Sequence, residues 1–306
     1  MASLRAAVDR SEGRALARPS GILAGVRRFA WDWLPAAPLV LLAVALLVLP
    51  TVTVLALSLR DADGGIGFGA WTETLSRRGD QRAIATSLLL GFTTAAIATL
   101  VGAPLAWALS RAGVGARTGW LALLNVTANI GGIALAFAYT AVLGGYGMLT
   151  LALQRIGAPI VPPPSASFGG LLIAYLYTNV PLFVLLTLPA MGTLHREWFE
   201  AADSLGANRW QFWRYIGVPV LAPFLAAGWL LVFTWSVGLY GIAYALAGTA
   251  PTSPVRLMTL QIGIALNSST GGQERAAVMA TLLLLFATGC LLAYRATLRR
   301  ALRWFS

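Results

Sequence analysis

One imidazole and one thiol, His195 and Cys290, are the whole supply of those groups in the 306 residues. His195 has no cysteine or second histidine near it in sequence and reads as a loop histidine in contact with solvent, so a histidine-based triad is not expected. Cys290 lies inside an apolar run and reads as packing; one cysteine supports neither a disulfide framework nor a metal cluster. All 22 basic side chains are arginine, which excludes a Walker-type phosphate loop, because that loop requires a lysine. No catalytic residue, metal ligand or resident cofactor is therefore expected. The polar side chains that remain concentrate in two places. One is the segment from His195 to Pro219, where Glu197, Glu200, Asp203, Arg209 and Arg214 alternate with aromatic residues. The other is a set of polar groups inside apolar runs: Asn125, Asn129 and Tyr139; Tyr175, Tyr177, Thr178 and Asn179 just before Pro181; and Thr234, Trp235, Ser236 and Tyr240.

The elements that must position these groups follow from composition. With 58% hydrophobic and 11% charged residues and a mean hydropathy of +0.74, the chain is too apolar for soluble globular domains and reads as a polytopic membrane protein. A formal charge of +11 would suggest nucleic acid in a soluble chain, but here the arginines flank apolar runs, where they act as topology signals, and no nucleic-acid partner is expected. A bilayer core about 30 Å thick needs roughly 20 apolar residues of helix. Six stretches qualify, over residues 34–59, 84–110, 119–145, 169–194, 224–248 and 276–297. Backbone amides in lipid must be satisfied internally and no alternating pattern suggests a barrel, so the fold class is all-α with six transmembrane helices. The first apolar run is longer than the apolar region of a cleaved signal and is expected to be retained.

The organisation expected is an Arg-rich cytoplasmic segment over 1–33, a six-helix domain over 34–297 and a cytoplasmic tail over 298–306. With the N-terminus inside, 15 of the 22 arginines fall on the cytoplasmic face. Arg60, Arg77, Arg78, Arg82, Arg155, Arg256 and Arg275 fall on the other, and the bias places both termini inside. Among the external connections, Arg60 to Gln81 reads as polar and glycine-containing. Tyr146 to Ile156 spaces its apolar residues like a helix lying on the membrane ahead of the turn at Pro162, Pro163 and Pro164. Thr249 to Glu274 mixes Pro251 and Pro254 with a short amphipathic run. These connections either dock a partner or merely join helices.

Polar groups inside spans are costly, so Asn125, Asn129, Tyr139, Tyr177, Asn179, Trp235 and Tyr240 are the candidate substrate pathway. Any one of them alone also reads as a bridge between helices or an interfacial anchor. Pro104 and Pro181 could kink their spans around a cavity, and no acidic residue lies deep in a span, which leaves no intramembrane cation site.

The cytoplasmic connection over 195–222 is long and aromatic for a linker. Leu194, Trp198, Ala201, Ala202 and Leu205 recur at helical spacing and make one apolar face, with Glu197, Glu200 and Asp203 elsewhere on the turn. Gly206 can end that helix, and a second carrying Trp210, Trp213 and Ile216 follows until Val218, since Pro219 disfavours helix just before it. Such a hairpin buries too little to be rigid alone, so it packs against the span ends and offers a knob to another protein. The competing reading, an amphipathic segment on lipid headgroups, is weakened by the small Ala201 and Ala202, which supply little area for lipid.

Glu200, Ala201 and Ala202, Gly206 three residues further on, then Ile216 and Pro219, resemble the EAA loop of binding-protein-dependent ABC importer permeases; Val218 stands where the family usually has leucine. The resemblance implies the type I importer permease fold in a bacterial plasma membrane. It implies that Glu200, Ala201, Ala202 and Gly206 couple to a separate ATPase pair, with Arg209 and Arg214 as rim contacts. It implies a second permease, identical or different, an external solute-binding protein, and ATP and Mg held by the ATPase rather than by this chain. Ser204 to Ala207, in the form SLGA, is similar to the branch of the family that moves polyamines, ferric iron, sulfate-like oxyanions, phosphonates or thiamine, and the general layout leans to a polyamine-type permease. A secondary transporter or channel should instead show intramembrane acids, discontinuous helices in paired positions or a selectivity motif, none of which is read here. A membrane enzyme would need a nucleophile or metal cluster. A structural membrane partner subunit is the remaining alternative.

Overall fold

A computed structural model describes residues 37–60, 65–157, 165–248, 255–268 and 271–302. The Arg-rich segment 1–33, Pro162 to Pro164, Pro251, Pro254 and residues 303–306 of the tail lie outside the described residues. The chain falls into two compact units, Met1–Thr53 and Val54–Ser306. The described residues form helices and turns, with an isolated bridge between Arg60 and Ile66 and no strand among them. Six helical stretches are long and apolar enough to cross a membrane.

Helix α1, Ala37–Ser58, has 22 residues and a hydropathy of 2.8, and at about 1.5 Å per residue it matches the hydrocarbon thickness. The Thr51 and Thr53 hydroxyls donate to the Leu47 and Leu49 carbonyls at 2.7 Å, so neither needs a partner outside the helix. Further on, α2 covers Gly69–Ser76, α3 Arg78–Ser110, α4 Val114–Asn129, α5 Gly132–Leu143, α6 Met148–Arg155 and α7 Phe168–Met191. They are followed by α8 Arg196–Ser204, α9 Arg209–Phe212, α10 Val218–Gly238, α11 Gly241–Ala247, α12 Met258–Leu266 and α13 Gly272–Leu302. The helix expected over Tyr146 to Ile156 is α6.

The core of the second unit is built where α3, α7 and α10 pack on one another, with α4 against α7 and α13 against α10. Phe183 of α7 is fully buried at the centre, beside Ala95, Ala98 and Val232. It fits because both facing helices carry glycine: a Cβ at Gly102 would stand 2.6 Å from Phe183 Cδ1, and one at Gly228 would stand 3.1 Å from its Cε2. Hydrocarbon provides little hydrophobic drive between helices, so close approach through small residues supplies the packing.

Three expectations change. The second span starts at Arg78 rather than residue 84, because Asp80 is fully buried in the first turn of α3 and both its oxygens accept from Arg275, at 2.8 Å from Nε and 2.5 Å from Nη2. The third span, expected as one helix over 119–145, is broken: α4 stops at Asn129, and Gly132 has φ +67°, a left-handed conformation that cannot continue a right-handed helix. The fifth span is also interrupted, between Gly238 and Gly241, where Leu239 is extended at φ −73°, ψ 113°. The expectation that no discontinuous helices occur is thereby corrected, and it no longer argues against a secondary transporter. The two breaks touch, since a Cβ at Gly241 would stand 3.2 Å from the Gly132 Cα. The Tyr175 hydroxyl on α7 donates to the Leu239 carbonyl at 3.0 Å, giving the fifth span's freed acceptor a partner.

Two outcomes follow for the detergent-purified protein. Gly102→Leu overpacks against Phe183 and lowers stability by about 1–3 kcal/mol, visible as a lower melting temperature. Adding Phe183→Ala recovers part of the loss; a double variant no better than the single one would rule out that contact as the cause. Tyr175→Phe leaves the Leu239 carbonyl unpaired and costs about 1–2 kcal/mol by the same measurement.

Candidate functional site

The turn between α8 and α9 is fixed by its own backbone. Gly206 has φ +74°, and around it the Gly206 amide donates to the Asp203 carbonyl at 2.9 Å and the Ala207 amide to the Ala202 carbonyl at 3.0 Å. These are the two bonds of a Schellman termination, which needs a left-handed residue at the position Gly206 holds. Two residues later a capping box starts α9: Asn208 Oδ1 accepts from the Gln211 amide and Gln211 Oε1 accepts from the Asn208 amide, each at 2.8 Å. The hairpin is therefore a stop and a restart in register, with little freedom in between.

An aromatic foundation holds it to the end of α3. Phe199 stacks on Phe212 with ring centroids 3.7 Å apart, and Trp107 meets Phe199 at 5.7 Å and Trp213 at 4.9 Å. The Arg111 guanidinium lies 4.3 Å from the Trp107 ring and 4.8 Å from the Phe199 ring, close enough for cation–π attraction. Leu194 and Ala202 are buried as expected, but Ala201 is exposed and Leu205 is 87% exposed. On the second helix Trp210 is 71% exposed, and Phe212 takes the interior place at 3%. The inward face of α8 thus runs through Trp198, Phe199 and Ala202 rather than through Ala201 and Leu205, because the contacts of Phe199 with Trp107 and Phe212 decide which side of the helix packs. Neither Phe199 nor Phe212 was among the residues predicted to pack. Their shared signal is an aromatic residue on each side of a glycine turn, which only the angle between α8 and α9 brings together.

Pro219 does not end the second helix. A π-helical turn over Trp213–Gly217 carries α9 straight into α10, with the Val218 amide donating to the Trp213 carbonyl five residues back. The wider turn lets the chain pass a residue that has no amide hydrogen. The fifth span is consequently one helical unit with its loop over Arg209–Gly238, and it starts well before the expected residue 224.

Helix α8 stands between two concavities. One, of about 500 Å³, is apolar and is lined by Trp198, Ala201, Leu205, Phe212 and Tyr215 among others. The other, of about 750 Å³, is polar and includes Arg111, Arg196, Glu200, Asp203 and Arg209. Glu200 is exposed and ion-paired to Arg196 at 3.0 Å, one turn earlier; a surface pair of this kind sets a geometry rather than a stability. Arg214 is exposed, with its guanidinium 5.9 Å from the Tyr215 ring. His195 lies at the start of α8 with its ring 5.7 Å from Trp198.

The candidate pathway residues divide by burial. Tyr139 and Asn179 are buried, and Tyr139 Oη and Asn179 Oδ1 have no hydrogen-bond partner among the described residues. Tyr177, Trp235 and Tyr240 are 46%, 59% and 42% exposed on the surface of this chain. Asn125 and Asn129 are exposed too, each donating to a carbonyl one turn back at 2.8 Å. Tyr240 stacks on Tyr244 at 5.3 Å beside the break in the fifth span. The seven residues do not form one cluster. Among the described residues there is no group of three or more metal-ligating side chains.

Residues 104–301 match the family described as binding-protein-dependent transport system inner membrane component. The sulfate transport system permease protein CysT of Escherichia coli (strain K12) is 31% identical over 166 residues, 53% of this chain and 57% of that protein. The molybdenum transport system permease protein ModB of Azotobacter vinelandii is 25% identical over 183 residues, 60% of this chain and 79% of that protein. The chain thus spans little more than half the length of CysT. Among solved structures, a chain of the bacterial alginate ABC transporter in complex with an alginate pentasaccharide-bound periplasmic protein superposes with a TM-score of 0.70 at 17% identity, covering 91% of this chain and 96% of that one, a likeness of fold. With six apolar helices long enough to span a membrane, a rigid, two-sided α8, and the family match running from within α3 to the last turn of α13, this chain belongs to the binding-protein-dependent transport system inner membrane component family and has the fold of a type I ABC importer permease.

Proposed function

We propose that this chain is the pore-forming permease of an ATP-driven importer in a bacterial plasma membrane, driven through α8 by a separate ATPase pair. The observation that carries this reading is the form of α8: a short helix with a groove on each side, rigidly terminated at Gly206 and anchored by stacked aromatics. An element that transmits a rigid-body change must not fold away under load, and this one is braced at both ends. Glu200, Ala201, Ala202 and Gly206 present the contact, Arg209 and Arg214 flank it, and ATP and Mg belong to the ATPase. Both termini and α8 face the cytoplasm.

A second permease, the same chain or a different one, completes the pathway. Asn125, Asn129, Tyr177 and Tyr240 are polar and exposed on spans of this chain, and lipid gives such groups poor partners. They line a surface that another permease covers, with solute passing between the two. An external binding protein delivers that solute, and ATP-driven switching between two global states moves it inward.

The solute is an oxyanion rather than the polyamine toward which the sequence leans. A polyamine needs carboxylates along its route. In the spans of the second unit, the acids are Asp80 and Glu274, each in the first turn of its helix, with Asp80 already committed to Arg275. The names of the sulfate and molybdenum permeases support the same choice.

Gly206→Asp forces a side chain into a left-handed turn, and Glu200→Arg reverses the charge at the contact. Each abolishes uptake while the protein still inserts in the membrane at its ordinary level; normal uptake by both would overturn the assignment. Phe199→Ala keeps the contact sequence but removes its foundation. It is expected to reduce uptake per ATP hydrolysed about tenfold, or about 1.4 kcal/mol of coupling, read from paired uptake and hydrolysis measurements in proteoliposomes.

A further inference from the structure

At the start of α3, as far as that helix reaches from the α8 end, four arginines from three separate parts of the sequence line one cavity. It measures about 420 Å³ and takes in Arg77, Arg78, Arg256 and Arg275, with Gln261 and Ile264 on α12 completing its wall. That volume is within the range of small-molecule sites, about 300–1,000 Å³. Helix α3 has 33 residues, so at 1.5 Å per residue the cavity lies about 50 Å from Arg111 and the aromatic foundation of α8.

The charges are held in place rather than scattered. Arg275 is fixed from beneath by both oxygens of the fully buried Asp80. Arg77 is paired with Glu73, whose hydrogen bond raises the guanidinium pKa above its ordinary value. The Arg256 guanidinium lies against the backbone of Gly79, where an added Cβ would stand 2.8 Å from Nη1. The residue between Arg78 and Asp80 is thus one whose lack of a side chain admits a third arginine. Glu73 and Asp80 pair with two of these guanidiniums from outside the cavity, and among the described residues no carboxylate lines the cavity itself. Guanidinium stays charged at every physiological pH, so this field is permanent. The apolar Val255, Leu260 and Ile264 in the wall strengthen it by excluding water.

We propose that this cavity is the receiving site for a tetrahedral oxyanion at the external mouth of the pathway, where the solute rests after leaving the binding protein. The proposal rests on the importer reading above and adds a site to it. Guanidinium forks match the oxygens of such an anion two at a time. Arg77 and Arg275 already pair with Glu73 and Asp80, which weakens the hold of the site on an anion, as a transport route requires. Of the possible occupants, a small anion fits a walled cavity better than an acidic protein surface, which would need the arginines on a convex face.

The test uses the importer purified with its ATPase and placed in discs of neutral phosphatidylcholine, so that no anionic lipid competes. In a Cys290→Ser background, Ile264→Cys puts one thiol in the cavity wall. A negatively charged methanethiosulfonate reagent should modify it about tenfold faster than a positively charged one of similar size. Millimolar sulfate or molybdate should slow that reaction well beyond sodium chloride of equal ionic strength. Arg78→Gln with Arg256→Gln should remove both effects. Equal rates for the two reagents, or no protection by either oxyanion beyond chloride, would overturn the proposal, and so would protection seen only when substrate-free binding protein is added. Uptake of labelled sulfate and molybdate by cells carrying the wild-type importer is measured alongside. Protection without uptake would keep the cavity and sink the oxyanion importer, whereas uptake without protection would do the reverse.

Discussion

Hydrocarbon offers a peptide group no hydrogen-bond partner, and a chain that is apolar over six long stretches must settle every amide and carbonyl within itself. Continuous helix does this for most of the described spans. The two interruptions are informative because they occur where protein supplies what lipid cannot. At the break in the fifth span, the Leu239 carbonyl takes the Tyr175 hydroxyl from a neighbouring helix. At the break in the third span, the left-handed Gly132 lies in backbone contact with Gly241. Each interruption is thus packed against the other, and α7 closes the pair through Tyr175. A tyrosine that composition alone would assign to a polar pathway serves here as the backbone partner that makes an unwound segment tolerable.

The same constraint joins the two ends of the second unit. Helix α3 carries the buried Asp80 and its arginine clamp in its first turn and Trp107 in its last, with the glycine that admits Phe183 between them. A displacement of α8 reaches α3 and α10 through the aromatic stack before it reaches anything flexible, because α9 runs into α10 through the π-helical turn without a break. Packed interiors transmit such shifts as discrete rearrangements rather than by bending. The soft points along this route are the breaks beside Gly132 and Leu239, which have fewer helical hydrogen bonds than the segments they separate.

Hydropathy made the spans legible, because twenty apolar residues in a row admit few other structures, and the Glu200 to Gly206 spacing made the loop legible. The breaks were not, since Gly131, Gly132, Gly238 and Gly241 sit in apolar surroundings where glycine is an ordinary membrane-helix residue and leaves hydropathy unchanged. The start of α3 was misplaced for the opposite reason. Arg78 to Arg82 reads as polar loop until Arg275, 195 residues from Asp80, supplies the partner that lets a carboxylate be buried. The arginine cavity stayed hidden in the same way: Arg77, Arg78, Arg256 and Arg275 read as topology signals on one face, but nothing in their spacing says that Gly79 leaves room for them to converge. Phe199 and Phe212 were missed because period-based reading treats α8 and α9 separately, whereas the stack depends on the angle between them.

The distribution of exposed polar groups bears on what a single copy can do. Tyr139 and Asn179, the two buried members of the pathway set, are enclosed by this chain's own helices. The exposed members, Asn125, Asn129, Tyr177, Trp235 and Tyr240, look outward from the third, fourth and fifth spans, which are also the spans that surround the two breaks. Other polar span residues, among them Thr94, Thr187 and Ser236, are buried between the helices, so the exposed set marks one part of the polar surface of the spans. Polar groups on a lipid-facing surface are costly unless they are satisfied within the chain, as the Asn125 and Asn129 amides are, or covered by something other than lipid. The breaks lie beside these exposed residues, with Tyr240 next to Leu239 and Asn129 three residues before Gly132, and outside the cluster that holds Phe183.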